Sequence, residues 1–141
     1  MDSMLMGNTP KLEGPTKTTT ADPVAEFLRT VRGVLTTAEE TIGVEDLEEG
    51  LERALAILQR NPEARESFEN EIISLIDSPR EGVVELVSFV MYELRWTAIQ
   101  EAVRERMRDP SGNVSNIRLY EAMLDAFSDS WHERDLYRRF A

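Results

Sequence analysis

The sequence predicts an all-α fold of six to seven short antiparallel helices, arranged as a compact bundle or as an array of helical hairpins. Three observations predict it. From Asp22 onward, apolar residues recur at i, i+3, i+4 and i+7. No apolar/polar alternation of useful length marks a strand. Turn signals divide the chain so that helix starts fall near residues 23, 45, 62, 79, 98, 116 and 131, about 17 residues apart, a length that suits short antiparallel neighbours.

The elements follow in order. Residues 1–21 hold Pro, Gly, Thr and Lys with almost no spaced apolar residues, and are expected to form a flexible leader before a single helical domain over 22–141. Val24, Phe27, Leu28, Val31, Leu35, Ala38 and Ile42 form the stripe of the first helix, with Asp22 as N-cap, Pro23 in the first turn and Gly43 expected to end it in the left-handed conformation. Leu47, Leu51, Ala54, Leu55 and Leu58 line the second, which stops before Asn61-Pro62 because a residue preceding proline is pushed out of the helical region. Asn61 is expected to cap the third helix, whose inner face is Phe68, Ile72, Leu75 and Ile76.

Ser78-Pro79-Arg80-Glu81 has capping-box spacing and is expected to open a fourth helix carrying Val83, Val84, Leu86, Val87, Val90, Met91 and Leu94. Its apolar residues cover more than half of the circumference, which places it at the centre of the packing. A break or kink is expected at Arg95-Trp96, with Thr97 to Gln100 as a second capping box opening a fifth helix. The Asp109-Pro110-Ser111-Gly112-Asn113 run reads as a loop, Ile117, Tyr120, Leu124 and Phe127 as a sixth helix, and Ser130 to Glu133 as the cap of a short last helix. Between Glu45 and Met107 the helix lengths and short turns resemble HEAT repeats, which implies stacked hairpins; an orthogonal bundle fits the same pattern.

Composition excludes several functions. No cysteine is present, which removes disulfide scaffolds and Cys-ligated zinc or iron–sulfur sites. The single histidine, His132, leaves neither a nucleophile–base pair nor a two-histidine metal motif, and no catalytic residue, metal or cofactor is assigned. Pro110-Ser111-Gly112-Asn113 lacks the glycines and lysine of a phosphate loop. The net charge of −11 disfavours nucleic acid as a partner. No apolar run approaches the roughly 20 residues of a bilayer span, and the first residues lack the basic and apolar regions of a secretory signal, so the expectation is a cytoplasmic protein with no membrane partner. Both lysines lie in the leader and all 14 arginines beyond it, a bias expected of a GC-rich bacterial genome.

Charge is unevenly spread. Residues 21–60 carry nine acids and four arginines, and residues 61–94 carry eight acids and two arginines. Glu45, Glu48, Glu49, Glu52, Glu63 and Glu66 are therefore expected to form an acidic helical surface that binds another protein, one with a basic surface, as immunity-type inhibitors and regulatory subunits do. The alternative is a small-molecule-binding regulator or carboxylate-based enzyme, with a pocket between the fourth helix and the C-terminal aromatics, lined by Tyr92, Trp96, Tyr120 and Trp131. Trp131, Tyr137 and Phe140 form either a plug at the end of the bundle or an exposed contact patch, and the plug is expected because so short a terminal helix is stable only when packed. The apolar girth of the fourth helix leaves a homodimer open.

Overall fold

The computed structural model describes residues 22–40, 43–108 and 114–140. The predicted leader (1–21) and the predicted loop at 109–113 lie outside the described residues. Six α-helices are present: α1 Pro23–Glu40, α2 Val44–Arg60, α3 Arg65–Ile76, α4 Glu81–Leu94, α5 Thr97–Arg108 and α6 Val114–Asp125. A 3₁₀ turn, Pro62–Ala64, leads into α3, and two more, His132–Leu136 and Arg138–Phe140, follow α6. Among the described residues there are no strands.

The apolar stripes decide the packing. Phe27, Val31, Val34 and Leu35 of α1 and Leu47, Leu51, Ala54, Leu55, Ile57 and Leu58 of α2 are buried. In α4 every residue from Gly82 to Met91 except Glu85 is buried. That all-round burial marks the centre of the fold: α4 lies against α1, α2, α3 and α6. Stacked repeats touch only their sequence neighbours, so this convergence makes the molecule a bundle and not a hairpin solenoid. Two glycines permit the close approaches. A Cβ on Gly82 would stand 2.8 Å from Leu35 Cδ2 and 3.3 Å from Ala38 Cβ, and one on Gly50 would stand 2.9 Å from Val34 Cγ2.

The helix ends divide into expected and unexpected ones. Asp22 caps α1 through its Oδ1, which accepts from the Ala25 amide at 3.2 Å. The break between α4 and α5 is present, with Arg95 left-handed (φ 52°, ψ 46°) and its amide bonded to the Met91 carbonyl at 2.8 Å. Gly43, in contrast, is extended (φ −94°, ψ 132°) and precedes α2, so it is not a left-handed terminator. Asn61 closes α2 instead of opening α3: its Nδ2 donates to the Ile57 carbonyl at 2.8 Å.

The capping boxes are the main corrections. Arg80 is extended (φ −156°, ψ 172°) and stands at the cap position of α4, which starts two residues later than a Ser78 cap requires. Ser78 lies in the preceding turn, its amide bonded to the Leu75 carbonyl. Thr97 is already helical in α5, and the Trp96 carbonyl accepts the Ile99 and Gln100 amides. Ser130 shares a hydroxyl–hydroxyl bond of 2.8 Å with Ser128, and the predicted last helix is the pair of 3₁₀ turns.

Candidate protein-interaction face

The outer face of α2 is acidic because its inner face is not. Leu47, Leu51, Ala54, Leu55 and Leu58 claim one side, and Glu45, Glu48, Glu49 and Glu52, at i, i+3, i+4 and i+7, fall together on the other. Glu45 and Asp46 sit in the first turn, where the helix dipole favours anions. An open groove of about 530 Å³ runs along this face, lined by Glu45, Asp46, Glu48, Glu49 and Glu52 and, on its other wall, by Arg138 and Arg139. Four of the six predicted acidic residues are thus gathered at one place, joined by Asp46. Glu63 and Glu66 are exposed but stand past the opposite end of α2; Glu49 and Arg60 alone are roughly 16 Å apart at 1.5 Å per residue.

The acidic face is partly occupied by the chain itself. The Glu48 carboxylate accepts the Arg138 amide on Oε1 and the Arg139 amide on Oε2, both at 2.8 Å. The Arg139 guanidinium bridges two helices, to Glu52 of α2 at 2.8 Å and Glu93 of α4 at 3.2 Å. Burial works against its charge, and the Glu93 hydrogen bond together with the charges of Glu52 and Glu93 outweighs this, raising its pKa. Glu45, Asp46 and Glu49 have no cation partner among the described residues.

Behind the segment lies an aromatic cluster. Phe140 packs on Phe89 (ring centroids 5.1 Å), Tyr92 (4.9 Å) and Trp131 (5.9 Å), and Tyr137 stands edge-on to Phe89 at 5.1 Å. The Tyr137 hydroxyl donates to Glu85 Oε1 at 2.6 Å. Burial pushes the Glu85 carboxyl above the usual glutamate range; the Tyr137 hydrogen bond lowers it in part, and Glu133 and Glu81 add to the rise. Burial, then the bond to Glu85, drives the Tyr137 pKa upward in turn. Trp131 and Tyr137 are buried, 3% and 2% exposed, so the C-terminal aromatics plug the bundle end.

The four aromatics predicted to line a pocket are dispersed. Tyr92 and Trp131 pack against each other in the cluster with tilted rings, at 5.2 Å between centroids and 46° between planes. Trp96 is covered by the Arg65 guanidinium, 4.7 Å from the ring centre, and Tyr120 donates to the Ile76 carbonyl at 2.9 Å. A second open groove, about 650 Å³, is lined by residues of both α1 and α2. Arg29 and Arg53 line it without an ion pair among the described residues, and it borders the acidic face through Asp46 and Glu49.

Among the described residues, no group of three His, Asp or Glu side chains is placed to hold a metal ion, and no helix is long and apolar enough to cross a membrane. His132 is exposed in its 3₁₀ turn. The residues that sequence reasoning missed are Glu93 and the Arg138-Arg139 pair. Two adjacent arginines beside Phe140 were the only signal, and their partners lie 46 to 91 residues away.

Set against known protein families, curated proteins and solved structures, the chain matches none.

Proposed function

We propose that this is a non-catalytic protein-interaction domain that docks a basic partner protein on the acidic outer face of α2, in the manner of an immunity-type inhibitor or a regulatory subunit. One observation carries the reading: Glu45, Asp46 and Glu49 stand together, exposed, with no cation partner among the described residues, while neighbouring Glu48 holds two main-chain amides of the chain and Glu52 holds its Arg139 guanidinium. Solubility alone asks for interspersed charges of both signs, and a single-sign cluster repels itself. Its cost is offset when a complementary surface arrives, which speeds encounter and selects the partner.

The test is affinity capture from the cells that make the protein, followed by binding of the purified partner. Three baits are compared: the parent, Glu45→Lys/Glu49→Lys, and Glu121→Lys/Asp125→Lys, which makes the same charge change at two exposed positions of α6. The expected result is a basic partner whose affinity falls about tenfold or more in the first double variant, stays near the parent's in the second, and weakens with salt. Binding indifferent to salt and equal in all three baits overturns the reading.

A further inference from the structure

The chain beyond Tyr137 is held by a different kind of contact from the chain before it. Tyr137 is anchored in the core and its backbone is extended (φ −106°, ψ 136°). Arg138 and Arg139 are exposed and Phe140 is half-buried. The ion pairs that seat the segment join groups that stay about a third exposed: 31% for Arg139, 38% for Glu52 and 37% for Glu93. Contacts so open to water open locally at small cost. Seated, however, the segment occupies Glu48 and Glu52 of the acidic α2 face, together with Glu93 of α4, beside Glu45, Asp46 and Glu49, which have no cation partner among the described residues.

We propose that Arg138–Phe140 is an autoinhibitory strap, which swings about Tyr137 and is displaced when a partner's basic segment takes the same seat. This rests on the docking reading above and adds the partner's chemistry. Three contacts define the seat: Glu48 receives two successive main-chain amides, Glu52 and Glu93 fork one guanidinium, and Phe89, Tyr92 and Trp131 receive a ring. The matching occupant is a short segment with an arginine next to an aromatic residue. A tethered strap competes at an effective concentration on the order of millimolar, so weak basic sequences are excluded and only a segment with these contacts displaces it.

The experiment uses the full chain and a fluorescent peptide, Gly-Ser-Arg-Arg-Phe-Ala amide, with a Gly-Ser-Ala-Ala-Phe-Ala counterpart. Arg139→Glu unseats the strap. Arg138→Glu makes the same change in net charge at a side chain that has no ion pair among the described residues, and circular dichroism and tryptophan emission check that both variants remain folded. The expected result is that Arg139→Glu binds the arginine peptide about tenfold more tightly than Arg138→Glu does, and that adding Glu48→Gln/Glu52→Gln to Arg139→Glu abolishes the gain.

Equal affinities for the two variants, with binding still lost in Glu45→Lys/Glu49→Lys, overturn the strap and leave the docking face standing. Binding that ignores both the strap and Glu45/Glu49 overturns both readings, as does equal binding of the alanine peptide. A parent that is dimeric by light scattering and monomeric as Arg139→Glu also overturns the proposal, because the strap then belongs to a second copy.

Discussion

α4 and the C-terminal strap are both held against the body of the protein, by opposite physics. α4 is dry: its side chains from Val83 to Met91, apart from Glu85, are buried, and its free energy comes from apolar area at about 25 cal/mol per Å². The strap is wet: carboxylates hold two amides and a guanidinium at the surface, and one half-buried ring adds the apolar part. Exposed ion pairs contribute from nothing to about 1 kcal/mol each and are screened by salt. α4 is therefore the element whose loss unfolds the molecule, and the strap the element that can leave without unfolding it.

Substitutions in the two elements should differ in cost accordingly. The largest effect is expected at Phe89→Ala, which opens a cavity where α4 meets the C-terminal rings; equilibrium denaturation should show a loss of about 3–5 kcal/mol. Tyr137→Phe comes next, since it removes the donor from the partly buried Glu85 and is expected to cost about 1–3 kcal/mol. Gly82→Val forces side-chain volume into Leu35 and Ala38 and is expected to cost about the same, by overpacking. Gly33→Ala should do the reverse and stabilise by about 0.5–1 kcal/mol, because a Cβ there meets nothing within 4 Å and α1 gains helix propensity. Arg139→Ala is expected to cost less than about 1 kcal/mol, with the difference vanishing in high salt.

Glu85 adds a pH test. Its carboxyl is raised in the folded state above the ordinary 4.5, so the unfolded chain ionises first as pH rises. The stabilising contribution is fully present below pH 4.5 and is lost as pH climbs through the raised folded value. Glu85→Gln removes this slope. The parent should therefore lose stability relative to the variant across that window, and parallel stability–pH curves would show that Glu85 is not held as described.

Helices and core were legible in the sequence because period and burial are the same information: Phe27, Val31 and Leu35 are spaced for one face, and they are buried on it. The central place of α4 was legible for the same reason, since a continuous apolar run has to be surrounded; the break at Arg95 was expected from a Thr97 capping box, and the structure makes it without that box, through a left-handed Arg95. Caps were much less so. Asn61, Ser78 and Ser130 carry the chemistry of an N-cap, and that same chemistry serves a helix C-terminus, a turn or a neighbouring hydroxyl. Of the acidic site, the spacing of Glu45, Glu48, Glu49 and Glu52 showed that they share a face. It did not show that Glu63 and Glu66 stand apart, nor that Arg138 and Arg139 lie across it, because pairings between such distant residues leave no local pattern.

Amide chemical-shift mapping of the parent protein, titrated with the labelled arginine–aromatic peptide, locates the docking seat. Perturbations are expected to gather on Glu45 to Glu52, on Glu93 and on Arg138 to Phe140, and to fade as salt is added. Shifts centred on the Arg29–Arg53 groove, or spread evenly over α5 and α6, would contradict that location.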